Sequence, residues 1–100
     1  MGQNNAKGTV GTDLDVSITL GNKRLREMII SAPLANDDAT LVIYDTTKST
    51  PTRIFNGYLA NRDSNGAIKF KDGKGSDDTT KFIVAVTGGT GNLFVNAIYD

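Results

Sequence analysis

The chain has 100 residues, and 11 Lys and Arg balance 11 Asp and Glu, so the formal net charge at pH 7 is zero. A neutral chain has no overall attraction to nucleic acid or to an anionic membrane, and we expect neither partner. There is no Cys and no His, which excludes disulfides, thiolate chemistry and the usual general base at neutral pH.

The chain begins with a polar, glycine-rich segment, MGQNNAKGTVGT. Such a composition predicts a flexible arm over residues 1–12, ahead of a single domain over residues 13–100. The segment has no apolar stretch of the kind found in signal peptides, and the chain has none of the ~20-residue runs that span a membrane. We therefore expect a protein that is made in the cytoplasm and does not enter a membrane.

The first half of the domain predicts three strands. Residues 14–20, LDVSITL, alternate apolar and polar side chains, as a half-buried strand does. Residues 24–31 are ambiguous between helix and strand, and their short length favours a strand. A loop with Pro33 and a turn at residues 36–38 lead into a third strand over residues 39–44, ATLVIY.

The second half predicts two hairpins. Residues 53–60 form a strand, and Asn65-Gly66 is a strong two-residue turn signal that pairs residues 67–71 back onto it. The last twenty residues place the GGTG segment between two apolar, β-branched runs, which is the pattern of a closing hairpin.

This pattern predicts an all-β fold, an antiparallel β-sandwich of about seven or eight strands, Ig-like or jelly-roll-like. Its core is expected to consist of the inward-facing apolar residues of these strands. They are Leu14, Val16, Ile18, Leu20, Leu25, Ile29, Leu41, Ile43, Phe55, Leu59, Phe70, Phe82, Val84, Val86, Leu93, Val95 and Ala97.

Sites for chemistry are weakly indicated. Two loops carry the oxygen ligands that calcium prefers, but they lack the spacing of a calcium loop and equally fit ordinary turns. The glycines of GGTG precede a strand rather than a helix, which favours a turn over a phosphate site. We predict no catalytic residues, no metal and no cofactor. The candidate calcium ligands are Asp63, Asn65, Asp72, Asp77 and Asp78.

The order of these segments resembles small structural proteins of tailed bacteriophages. The matching stretches are residues 26–31, REMIIS, residues 39–45, ATLVIYD, and residues 82–100, which run from FIVAVTGGTG to a final Tyr and acid. The resemblance covers about the last three quarters of the chain. It implies a β-sandwich subunit of the virion, such as a head-decoration, fibre or neck protein.

A second resemblance is to the small β-barrels of allene oxide cyclases and dirigent proteins. It rests on VAVTGGTGNLFVNAIYD and on the preceding YLANRDSNGAIKF. The chain departs from that pattern through Asn92, inserted before Leu93-Phe94, and through Asn96-Ala97-Ile98-Tyr99, where a glycine is expected. This alternative implies an apolar ligand bound inside a barrel, and a glycan-binding module is a third alternative.

The phage resemblance leads to the hypothesis of a non-enzymatic virion protein. It would dock on capsid or tail subunits, cement the shell, and form a homo-oligomer. Tyr and Arg dominate the strongly contributing positions of protein interfaces. The residues predicted to lie at contacts are Arg24, Arg26, Tyr44, Arg53, Tyr58 and Tyr99.

Overall fold

The computed structural model describes residues 2–100, which contain eight strands. They are β1 (Gly2–Thr9), β2 (Leu14–Ser17), β3 (Leu25–Ser31), β4 (Ala35–Asp45), β5 (Thr52–Tyr58), β6 (Ala67–Lys74), β7 (Lys81–Gly89) and β8 (Asn92–Tyr99). One turn of 3₁₀ helix, Leu59–Asn61, follows β5. None of the helical structure in these 99 residues is long and apolar enough to cross a membrane.

The strands form two antiparallel sheets that pack face to face. Sheet I has the order β1-β8-β3-β6, and sheet II has the order β2-β7-β4-β5. In β7 the buried residues Phe82, Val84 and Val86 alternate with more exposed ones, so one face of the strand enters the core. The predicted all-β sandwich is therefore confirmed.

The space between the sheets is filled by side chains from both inner faces. Leu41 and Ile43 from sheet II and Leu25 and Leu93 from sheet I have no solvent exposure. The two sheets remain separate layers rather than closing into one barrel. The fold is therefore not the cyclase or dirigent-type barrel of the second resemblance.

The two predicted hairpins are wrong, because the chain crosses between the sheets at both turns. Residues 67–71 lie in β6, which pairs with β3 and not with β5. Strand β7 pairs with β2 and β4, whereas β8 pairs with β1 and β3. Gly88 and Gly89, both at φ 112°, turn the chain from one sheet to the other. A Cβ on Gly89 would lie 2.7 Å from the Ala35 Cα, so a side chain there meets backbone.

Ile29 was predicted in the core and lies instead on the outer side of sheet I. The register of β3 shifts between Leu25 and Glu27, which indicates a bulge. One extra residue reverses the inward and outward positions that follow, so Met28 and Ile30 are buried while Ile29 is only half-buried.

Residues 1–12 were predicted to form a flexible arm, and the structure corrects this for most of the segment. Gly2–Thr9 form β1, which pairs with β8 at eight successive positions, from Gly2 with Tyr99 to Thr9 with Asn92. Ala6 packs against the core, and the Asn4 amide donates a 2.5 Å hydrogen bond to the Ser17 carbonyl oxygen of sheet II. The polar strand is held by backbone pairing, to which its composition gives no clue. Met1 lies outside the described residues.

A buried polar network joins two loops at the end of the sandwich opposite GGTG. Thr79 is completely buried, and its hydroxyl donates to the Asp45 carboxylate at 3.3 Å. The Thr47 hydroxyl donates to the same oxygen at 2.6 Å, and the Ser76 backbone N–H donates to the Thr79 hydroxyl at 2.8 Å. Because each of these groups has a hydrogen-bond partner, the network fixes the two loops without leaving an unsatisfied polar group.

The placement of β1 can be tested with two neighbouring substitutions that add the same charge. Ala6→Asp places a carboxylate against the core, and we expect it to lower the free energy of unfolding by about 1–3 kcal/mol. Asn5→Asp places it on the exposed side of the same strand and should change stability by no more than about 0.5 kcal/mol. Urea unfolding followed by circular dichroism measures both. Equal, small effects would mean that residues 2–9 do not pack on the domain.

Candidate interaction surfaces

The six residues predicted at contacts separate into two groups. Tyr44, Arg53 and Tyr58 lie together on sheet II, where Tyr44 pairs with Arg53 across β4 and β5. Arg24, Arg26 and Tyr99 lie on sheet I or at its end near the carboxyl terminus. The first group is on an open surface, whereas the second group is engaged within the molecule.

The outer side of sheet II carries an apolar surface that we call the tyrosine face. Val42 and Tyr44 alternate with the buried Leu41 and Ile43, so they point away from the core and remain half-buried. Strand pairing places Val42 beside Ala85 and Tyr44 beside Ile83 on the adjacent β7. At the edge of the sheet, Tyr58 is 54% exposed. The tyrosine face consists of Val42, Tyr44, Tyr58, Ile83 and Ala85.

Arg26 in β3 and Arg24, which directly precedes β3, both form ion pairs. The Arg26 guanidinium binds both carboxylate oxygens of Asp100, with Nε–Oδ1 at 2.6 Å and Nη2–Oδ2 at 3.2 Å. This hydrogen bond lowers the pKa of the Asp100 carboxyl and raises the pKa of Arg26. Arg24 pairs with Asp77 at 3.1 Å. Both arginines therefore tie the end of β3 to neighbouring segments.

Tyr99 is an internal contact as well. Its ring packs against the core and lies directly over the position where Gly2 would carry a Cβ. The Lys23 ammonium lies 5.9 Å from the ring centroid. Because Gly2 and Lys23 cover its ring, Tyr99 presents little surface to a partner.

The outer side of sheet I contains a groove that sequence reasoning missed. Its volume is about 420 Å³, and it runs across β1, β8 and β3. Phe94 is 42% exposed there, with the Lys7 ammonium 5.6 Å from its ring centroid. Strand alternation in β8 is the signal that could have revealed it, since Phe94 and Asn96 fall opposite to Leu93 and Val95. The outward-facing lining of the groove is Asn5, Lys7, Ile29, Ser31, Phe94 and Asn96.

The groove contains a polar atom that lacks a partner. The Asn96 amide nitrogen donates a 3.0 Å hydrogen bond to the Gln3 side-chain oxygen. The Asn96 amide oxygen is shielded from solvent and accepts no hydrogen bond from any group within residues 2–100. Buried acceptors of this kind cost free energy and call for an explanation.

The candidate calcium ligands do not converge. In the part of the chain that the structure describes, no three acidic side chains come close enough to hold a metal ion. Asp63 instead caps its own turn, accepting hydrogen bonds from the backbone N–H groups of Asn65 at 2.9 Å and Ala67 at 3.1 Å. These bonds, with that of Ala67 first, lower the pKa of the Asp63 carboxyl. The turn-forming alternative thus accounts for this loop.

Comparison with known proteins gives a likeness in fold. No protein-family model matches the chain, and no curated protein matches it. A solved structure of the Drosophila NLP core, described as giving insight into pentamer formation and histone binding, is similar with a TM-score of 0.50 and 13% sequence identity. The match covers 100% of this chain and 99% of that chain. At this identity the likeness establishes the β-sandwich fold alone.

The expectation of a protein that docks on a phage capsid is wrong. The similar solved structure that covers the whole chain is described in terms of pentamer formation and histone binding, not as a virion subunit. The segments that resembled phage proteins are β-strands and turns, which unrelated sandwiches share. The glycan-binding alternative gains no support from this comparison either, since the similar structure is described in terms of pentamer formation and histone binding. The phage resemblance itself and the virion location stay predictions.

The Arg26–Asp100 pair predicts a specific dependence of stability on pH. The pKa of Asp100 in the folded protein lies below its ordinary value of 3.8, so the pair stabilises the fold above that pH. This contribution is lost as the pH falls through the lower folded-state pKa. Melting temperatures at about pH 6 and about pH 2.5 should therefore differ less in Asp100→Asn than in the wild type.

Asp78→Asn is the matched control, since Asp78 is exposed and makes none of the ion pairs found within residues 2–100. It should retain the wild-type difference between the two melting temperatures. An unchanged acid response in Asp100→Asn would show that the ion pair does not contribute to stability.

Proposed function

We propose that this protein is a non-enzymatic subunit of a homo-oligomer that assembles through the outer faces of its sheets. The tyrosine face is the observation that carries the proposal. Val42, Ile83 and Ala85 give it an apolar centre, and Tyr44 and Tyr58 add aromatic rings with polar tips. An aromatic surface with few charges at its centre is typical of protein interfaces.

Two further observations support assembly. Apolar residues that cluster on an outer sheet face, as Val42, Tyr44, Ile83 and Ala85 do, often mark a contact site. In addition, the structurally similar NLP core is described as forming a pentamer. Arg53 lies beside Tyr44 at the rim of the tyrosine face, where a planar guanidinium suits contacts to a partner.

The assembly proposal is tested by mass in solution. Sedimentation velocity of the wild-type protein should give a multiple of the 10.6 kDa monomer. Val42→Lys places a charge at the centre of the tyrosine face and should shift the protein to the monomer. Thr50→Lys adds the same charge in an exposed loop and should leave the mass unchanged. A wild-type monomer at high micromolar concentration would overturn the proposal.

A second candidate function is the binding of a basic protein at the end of the sandwich that carries GGTG. Asp13, Asp37 and Asp38 are exposed there, on segments that flank the end of β7. Arg62, the basic residue of the neighbouring turn, is engaged by the Ile30 carbonyl oxygen. The similar NLP core is described as binding histones, which are basic.

Two double variants distinguish binding at this end of the sandwich from a general effect of the protein's negative charge. Asp37→Asn with Asp38→Asn should weaken binding to core histones about three- to tenfold in a low-salt titration. Asp77→Asn with Asp78→Asn removes the same charge at the opposite end and should leave binding unchanged. Absence of heat with the wild-type protein, or equal losses in both variants, would dispose of this candidate.

A further inference from the structure

One row of side chains crosses the tyrosine face from edge to edge of sheet II. It begins on the edge strand β2 with Asp15, which pairs with Ile83 of β7. Ile83 pairs in turn with Tyr44 of β4, and Tyr44 pairs with Arg53 of β5, the other edge strand. This cross-strand row therefore has a carboxylate at one end, an apolar and an aromatic side chain in the middle, and a guanidinium at the other end.

The two charged ends of the row are open to a partner. The Asp15 side chain is 57% exposed, and its Oδ2 atom lies 3.2 Å from the Lys81 ammonium. Arg53 is exposed and forms none of the ion pairs found within residues 2–100. Arg53 therefore differs from Arg24 and Arg26, whose guanidinium groups already have carboxylate partners in the molecule.

The cross-strand row is complementary to a reversed copy of itself. A two-fold axis parallel to the strands, lying between two sheets packed face to face, places β5 of one copy over β2 of the other. Arg53 then faces Asp15 of the second copy, and Tyr44 faces Ile83 of that copy, so opposite charges meet at both ends of the row. Rotation about the strand direction also keeps the strands of the two sheets within about 30° of each other, as in aligned sheet packing.

The order of charges selects this orientation. A two-fold axis that runs across the strands, along the row, would place Asp15 over Asp15 of the second copy and Arg53 over Arg53. Like charges that face each other oppose association. The order of charges also commits the surface to a second copy, because the chain itself supplies both members of each ion pair and both sides of the apolar middle.

We propose that two copies of the chain pair through their tyrosine faces about a two-fold axis parallel to the strands, with Arg53 of each copy facing Asp15 of the other. This inference rests on the proposed homo-oligomer and names the surface, the orientation and the ion pairs that fix it. A contact that uses the same surface on both copies closes with two subunits. The mass in solution is then twice that of the 10.6 kDa monomer.

Reversal of single charges tests the contact. Asp15→Arg makes both ends of the row positive, and Arg53→Asp makes both ends negative, so each variant alone should associate at least about tenfold more weakly than the wild type. An equimolar mixture of the two variants should form a heterodimer, because every end then faces the opposite charge. Sedimentation velocity at low salt, where charge effects are least screened, measures all of these samples.

A double reversal tests the direction of the two-fold axis. Asp15→Arg combined with Arg53→Asp in one chain exchanges the two ends of the row, so this variant should form homodimers as the wild type does. It should not pair with the wild type, because like charges would meet at both ends. Native mass spectrometry of a mixture with isotope-labelled wild-type protein measures this. Pairing of the double variant with the wild type would place the axis across the strands and overturn the proposal.

Two controls reverse charges away from the tyrosine face. Asp78→Arg and Lys48→Asp lie in exposed loops and should leave the association constant within about twofold of the wild-type value. Circular dichroism melts show whether each variant is folded, since Asp15→Arg also removes the ion pair with Lys81. Arg53→Gln leaves that ion pair intact and should weaken association about threefold, less than Arg53→Asp does.

The results distinguish this inference from the proposal beneath it. A monomeric wild-type protein overturns both. A wild-type pentamer, or an oligomer that both single reversals leave intact, overturns the two-fold contact and leaves the homo-oligomer standing. Folded single variants that stay monomeric when they are mixed also overturn the contact, since Arg53 and Asp15 of different copies would then not face each other.

Discussion

The packing of two inner sheet faces is the constraint on which the rest of the structure depends. A strand has only two faces, so once Leu41 and Ile43 are committed to the core, Val42 and Tyr44 must point outward. The same holds for Phe94 and Asn96, which alternate with Leu93 and Val95 in β8. The outward-facing Val42, Tyr44 and Phe94 are therefore apolar or aromatic residues that the core cannot take up.

The fold class could be predicted because period-two alternation is a local property. Residues 14–20, residues 39–44 and the apolar run before GGTG were predicted as strands, and most of their inward positions, such as Val16, Leu41 and Val84, are buried. The pairing of strands was not predictable in the same way. A glycine turn between two alternating runs can connect the strands of a hairpin or two strands in different sheets. Which of these forms depends on pairing with strands that are distant in sequence. Strand β1 escaped prediction for a related reason, since its partner β8 lies at the other end of the chain.

The surfaces were predictable in part. Residue type alone selected Tyr44, Arg53 and Tyr58, and the structure brings these three to one face. Residue type failed for Arg24, Arg26 and Tyr99, because a sequence does not show that an arginine already has a carboxylate partner such as Asp100. The groove was predictable only in part. Alternation in β8 places Phe94 and Asn96 on the outer side, but the Ile29 wall depends on the bulge in β3, which cannot be located from the letters RLREMIIS.

The crossing of the chain between sheets has a consequence for how the protein folds. Among the eight strands, β4 and β5 are the one consecutive pair that lies side by side; every other connection leads to the opposite sheet. Almost all pairings must therefore join segments that are distant in sequence, up to the ladder between Gly2 and Tyr99. Chains dominated by such non-local pairs have a high contact order and fold over about milliseconds to seconds. Until β8 pairs with β3 and β1, its apolar inner face, with Leu93, Val95 and Ala97, remains open to other chains, so folding competes with aggregation during synthesis.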